Sequence, residues 1–264
     1  CPYSAGASVL MATQKIRPLP RYTIQVGAAD LSLAMLREVY RRPVRMRFTD
    51  TAIDLVERGQ AVVDEIVRTG RTAYGINTGF GSLYDKQIPQ DQMEQLQVNL
   101  MVSHACGTGA QVPDEIVRLM LFLKIQSLSY GYSGINSRTA EYLIQFFNAG
   151  ITPEVFEFGS LGASGDLAPL AHLTAAMMGV GEFFVDGERV EAQKALSDAG
   201  LTPLILGPKE GLALLNGTQI STALALAGLF EAETVFRSAL VTGALTTDAA
   251  RGSDGPFDPR IHKV

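Results

Sequence analysis

Tryptophan is absent from the 264 residues, and cysteine occurs only at Cys1 and Cys106. Two cysteines so far apart make no disulfide framework, and they fit a reducing cytoplasm better than an oxidising compartment. Charge is sparse at 19% of residues, and the balance is slightly acidic, with a net charge of −5 at pH 7. Without a basic excess the chain offers no electrostatic footprint for nucleic acid. Histidine is also scarce: His104, His172 and His262 show no metal-ligand spacing, so no catalytic metal is expected. No secretory signal is evident, because the apolar run near the start is short and is followed by Lys15 and Arg17. Residues 211–230 are uncharged but carry Asn216, Thr218, Gln219, Ser221 and Thr222, which predicts a buried helix rather than a membrane span.

Hydrophobic residues make up 47% of the chain, enough for a large core. Residues 1–20 have no periodicity and read as a tail, with Met11 a candidate natural start. Leu33, Leu36, Val39 and Tyr40 have helical spacing, with Asp30 or Ser32 as cap, and Val44, Met46 and Phe48 alternate as in a strand. Asp50 opens a helix whose stripe includes Ile53, Val56, Val63 and Ile66 and which Gly70 ends. A polar, glycine-rich loop over residues 71–89 precedes a helix over residues 90–105. Pro113, Asp114 and Glu115 start a helix that runs to about Ser129. Its only later charges are Arg118 and Lys124, so burial nearly all round is expected.

Another helix starts at Ser133 or Asn136 and ends near Gly150. A helix is expected from about Gly165, with Asp166 in its first turn and Pro169 tolerated early. Asp186-Gly187, flanked by Phe183-Phe184-Val185 and Arg189-Val190, signals a hairpin, and a short helix follows over residues 191–199. From Pro208 onward the pattern is helical, with a break at Asn216-Gly217. The fold class is therefore mainly α with minor β.

Residues 159–167, GSLGASGDL, are the stretch on which function turns. Such a run is most simply a loop. A nucleophile elbow requires glycine where Asp166 stands, and a phosphate loop requires a lysine that is missing. A third reading is chemical. Small residues allow a backbone tight enough to bring the Gly165 amide nitrogen onto the Ala163 carbonyl carbon. Attack there closes a five-membered ring. Loss of one water from the ring, and of the Ser164 hydroxyl as a second, leaves a conjugated exocyclic alkene. Ordinary side chains supply no such electrophile.

Residues 159–173, GSLGASGDLAPLAHL, resemble the signature of the aromatic amino acid ammonia-lyases, in particular their histidine-type members. Further blocks match in order: YGINTGFG at 74–81, SHACG at 103–107 and EGLALLNGTQ at 210–219, with PFDPRIH at 256–262 also similar. The resemblance runs from about Ile24 to the last residue. Family members are roughly twice this length, so it implies an amino-terminal portion: a tail (1–20), a globular domain (21–207), and the start of a long-helix bundle (208–264) of ammonia-lyase/fumarase-like architecture.

The resemblance implies that Ala163, Ser164 and Gly165 are the precursors of 4-methylidene-imidazol-5-one (MIO), with no external cofactor. It implies Tyr74 as a loop-borne base, which needs its pKa lowered from about 10. By the same resemblance Asn216 is expected to lie against the ring and substrate, with Gln219 as a weaker candidate for a substrate contact. The resemblance also implies that His104 selects the substrate, and an imidazole can hydrogen-bond another imidazole where an apolar pocket cannot. Asp166 either aids the loop or is a plain first-turn carboxylate. The implied activity is deamination of L-histidine to trans-urocanate and ammonia, in a homotetramer with shared sites. The alternatives are a tyrosine or phenylalanine lyase or aminomutase, or a fragment without activity.

Overall fold

The computed structural model describes residues 22–27, 31–81, 84–185 and 188–263. The expected tail, Met11, Asp30 and the Asp186-Gly187 turn lie outside the described residues.

The chain begins with a β-α-β unit. Strand β1 (Thr23–Val26) pairs in parallel with β2 (Arg45–Phe48), joined through helix α1 (Leu33–Arg41). Parallel pairing requires such a crossover. Ser32 caps α1 by accepting from the Met35 amide. Helix α2 (Asp50–Thr69) is capped by Thr49 and closes at Gly70 in the left-handed region. Residues 71–81 and 84–89 follow without an α-helix or named strand of their own, and a 3-10 turn leads into α3 (Met93–His104).

Helix α4 (Asp114–Leu128) is the central element. Ile116, Val117, Leu119 to Phe122, Ile125 and Leu128 are all buried, and so are Lys124 and Gln126. Helix α1 packs on one side of it and α5 (Ser137–Ala149, capped by Asn136) on another. Strands β3 (Thr108–Gln111) and β4 (Phe156–Phe158) form an antiparallel pair, after which α6 (Leu167–Met177) runs through the core with nine buried residues. The expected hairpin is present as β5 (Glu182–Val185) with β6 (Glu188–Glu191), and α7 (Ala192–Asp198) follows.

The last elements are α8 (Glu210–Leu215) and the long α9 (Gln219–Ala249), separated at Asn216-Gly217 as expected. Glu210–Ala249 is the one stretch among the described residues with the length and hydropathy of a membrane span. It is broken at that point, and Ile220, Ala223, Ala227 and Phe230 are buried where α9 lies along α4. Beyond Phe230, α9 leaves the core. Val235, Phe236, Leu240, Val241 and Leu245 are each at least 60% exposed. Helical structure dominates, with three two-stranded sheets among the described residues.

Candidate active site

The loop before α6 makes consecutive bends at Ala163, Ser164 and Gly165. Ala163 and Ser164 are exposed, whereas Gly165 is buried. The reason is the α8–α9 break. A Cβ built on Gly165 would collide with Asn216 Oδ1 and lie 2.9 Å from the Gly217 nitrogen. Only glycine lets the two segments approach this closely. The Asp166 amide donates to the Gly217 carbonyl at 2.7 Å, which locks the contact.

Asp166 is not the plain first-turn carboxylate of α6. It stands at the N-cap position of α6 without capping it, and its carboxylate goes to α9 instead. Oδ2 accepts from the Ser221 amide at 2.9 Å, and Oδ1 from the Ser221 hydroxyl at 2.6 Å and the Ser160 hydroxyl at 3.2 Å. The residue at the N-cap of α9, Thr218, makes no side-chain cap bond. Asp166 thus serves the first turn of α9 from another segment, where a negative charge is also favoured by the helix dipole. Ser160 in turn accepts from the Gly162 amide, so the same network holds the loop from both ends.

Beneath the break sits Lys124. Its Nζ donates to the Asn216 carbonyl at 2.8 Å, and burial alone pushes its pKa down to about 7. Gln219 lies alongside Gly217, its Nε2 3.4 Å from Ser127 Oγ on α4. Asn216 is exposed on its outer side, where it lines a cavity of about 290 Å³ with Tyr132, Lys209, Leu212 and Gly217. A larger cavity of about 590 Å³, at the far end of α8 between Gln60, Asp64, Asn136 and Glu210, does not reach Ser164.

Tyr74 is 55% exposed, its ring edge-on to Phe80 with centroids 6.0 Å apart. Its loop is held by buried Asn77, which accepts from the Ala73 amide at 2.8 Å and donates to the Arg71 carbonyl at 2.9 Å. Gly75 rests directly on Leu212, one turn before Asn216. Tyr74 is therefore carried to the α8 side of the site, and no hydrogen bond joins it to residues 163–165 among the described residues.

His104 ends α3. Its Nδ1 lies 2.8 Å from the Leu100 carbonyl, which fixes that nitrogen as the donor and leaves Nε2 as an acceptor. The turn after it is pinned by His172 on α6, whose Nε2 accepts from the Gly107 amide at 2.9 Å. Burial lowers the His172 pKa, in keeping with a neutral acceptor. Cys106, between them, is a free, exposed thiol.

Ala163, Ser164, Gly165, Asn216 and Gln219 are thus brought to one place, with Tyr74 and His104 on separate anchored segments. Lys124, Ser221 and His172 are the contributors that sequence reasoning missed. A lysine in the middle of a helix otherwise buried all round was the one available signal.

The family model for aromatic amino acid lyases matches residues 31–264. The chain is 55% identical over 234 residues to histidine ammonia-lyase of Aromatoleum aromaticum, covering 89% of this chain and 44% of that protein. Among solved structures it is similar to histidine ammonia-lyase from Trypanosoma cruzi (TM-score 0.85, 35% identity, 91% of this chain and 47% of that one). It is also similar to Pantoea agglomerans phenylalanine aminomutase (TM-score 0.83, 30% identity, 92% and 46%). The chain spans a little under half the length of these relatives. Ordered motifs, helical architecture and a family match over nearly the whole chain agree: it belongs to the aromatic amino acid lyase family.

Proposed function

We propose that the protein, at the length of its relatives, is a cytoplasmic enzyme that deaminates L-histidine without oxidation, giving trans-urocanate and ammonia. The observation that carries this reading is the contact of Asn216 with Gly165, at a bend whose side chains are the MIO precursors Ala163 and Ser164. The fit of these residues to the group rests on that contact. Gly165 has no room for a side chain, its neighbours hold the bend from two sides, and Ser164 is free of hydrogen bonds that would retain its hydroxyl among the described residues.

The ring formed by these residues would supply an electrophile that makes departure of the amine easier. The chain's own residues do the rest. The Asn216 amide can donate to an oxygen at the ring position, as donors do in an oxyanion site. Tyr74 is proposed as the base for the weakly acidic substrate proton, reached by movement of its loop over α8. His104 presents Nε2 as an acceptor, matched to an imidazole N–H of the substrate. Gln219 contributes an amide beside Gly217.

Similarity to an aminomutase leaves the fold common to several reactions. His104 is what favours histidine here. The apolar exposed residues of α9 beyond Phe230 support the proposal that residues 208–264 begin a helical bundle, completed by further chain and by subunits of a homotetramer that share sites.

The test is turnover of L-histidine, L-tyrosine and L-phenylalanine by the full-length protein, with the mass of the peptide spanning residues 163–165. Loss of two waters and preference for L-histidine are expected. His104→Leu should lower kcat/KM for L-histidine by on the order of 10²-fold or more, because the substrate imidazole loses its partner. An unmodified peptide in an active enzyme, or unchanged turnover in the His104→Leu variant, would refute the assignment.

A further inference from the structure

We propose that Lys124 is a positioning residue: its hydrogen bond to the Asn216 carbonyl holds the Asn216-Gly217 break against the Ala163-Ser164-Gly165 bend and so controls cyclisation there. The inference rests on the MIO reading above.

Lys124 is only 2% exposed, between Leu123 and Ile125 on a helix that is mostly apolar. No carboxylate pairs with it among the described residues. Its hydrogen bond is to the Asn216 carbonyl, and desolvation is what lowers its pKa. A buried cation without a counter-charge is costly, and a methionine would fill the same space with favourable burial. The cost is offset by something other than packing, and the geometry indicates what.

Asn216 leaves α8 in an extended conformation, with φ −94° and ψ 131°. Its carbonyl therefore turns away from the helix and into α4, where Lys124 meets it. The next carbonyl, that of Gly217, turns the other way and accepts from the Asp166 amide. Two successive carbonyls are thus held by two anchors on opposite sides. Between them, the Asn216 side chain is pressed against Gly165. With the Lys124 anchor removed, the peptide after Asn216 can rotate, and the pressure on the Gly165 nitrogen is relieved. The Asp166 anchor alone fixes only one side.

The experiment compares the full-length protein with Lys124→Met, Lys124→Leu and, as a destabilised control remote from the loop, Val56→Ala. Each is assayed for urea unfolding and for the fraction of chains that have lost two waters at residues 163–165. The expected result is that Lys124→Met unfolds at or above the parental midpoint. Its dehydrated fraction, or rate of dehydration, should fall on the order of ten- to a hundred-fold, the scale of a small misplacement at a reacting centre. Val56→Ala should dehydrate as the parent does. Lys124→Leu decides in the same way should Lys124→Met not fold. Normal dehydration in either folded Lys124 variant overturns the inference. So does loss of dehydration in Val56→Ala, or failure of both Lys124 variants to fold, since Lys124 then serves the fold as a whole. A parent protein that is active but not dehydrated overturns the MIO reading together with this one, whereas a dehydrated parent with dehydrated variants overturns this one alone.

Discussion

Replacing Asp166 by alanine tests whether the loop and α9 are joined as the geometry implies. The carboxylate is 1% exposed and receives three hydrogen bonds, two from Ser221 and one from Ser160. In the Asp166→Ala variant the two hydroxyls can turn toward other acceptors or water. The Ser221 amide cannot, because it is one of the first-turn donors of α9 and has no partner within its helix. Leaving a buried donor unpaired costs about 1–3 kcal/mol, and Ser221 is solvent-accessible enough to place it near the lower end. Loss of a negative charge from a helix N-terminus adds roughly 0.5–1 kcal/mol. The sum is about 1.5–2 kcal/mol, well below the 5–15 kcal/mol typical of a domain, so the variant still folds to the same structure. In urea the midpoint should fall by roughly 1 M. Asp166→Asn retains one oxygen for the Ser221 amide, and its NH₂ can donate to the two hydroxyl oxygens, so it should recover more than half of the loss. An alanine variant within about 0.5 kcal/mol of the parent, or an asparagine variant as damaged as alanine, would refute the capping argument.

Two further outcomes follow from the same structure. Gly59 lies in the middle of α2, where alanine is ordinarily more stable by about 1 kcal/mol; here a Cβ would overlap the Gly131 carbonyl oxygen and lie 3.1 Å from its carbon, so Gly59→Ala should lower the urea midpoint by an equivalent of about 1–3 kcal/mol, and a raised midpoint would refute the close approach. His172 has its pKa lowered by burial and accepts from Gly107, so the unfolded chain binds its proton more readily; stability should fall as pH drops below 6.5, and His172→Gln, which keeps an acceptor, should flatten that part of the midpoint-versus-pH curve, whereas an unchanged slope would rule the imidazole out as its source.

The helices were legible because their signals are local. The stripe on α2 and its glycine end, and the cap of α5 at Asn136, are set by residues within a turn or two of each other. Strand β1 was not legible: only Ile24 and Val26 alternate in it, one apolar position fewer than in Val44, Met46 and Phe48 around β2, and its partner comes after a helix. Strand β3, Thr-Gly-Ala-Gln, has little β-propensity of its own and exists because Phe156–Phe158 lies beside it. The mainly α class survived these omissions because the strands are short.

At the site the division falls in the same place, between local and tertiary information. Glycine at 165 and the break at Asn216-Gly217 could both be read as breakers of regular structure. That the two breakers meet, so that one glycine exists to admit the other segment's asparagine, is a property of how α6, α8 and α4 pack. Asp166 illustrates the point most sharply. By position it is an N-terminal residue of α6, and local rules give its charge to that helix. The fold gives it to α9, 55 residues later, and in doing so ties the bend at residues 163–165 to the helix that leaves the core. Lys124 is the complementary case. Local rules mark it only as an anomaly, a charge on a buried face, and the carbonyl that accepts its hydrogen bond is 92 residues away. Residues that would perform chemistry lie in motifs that a sequence displays, whereas those that compress and hold them are distributed through the core, visible beforehand only where they break its pattern.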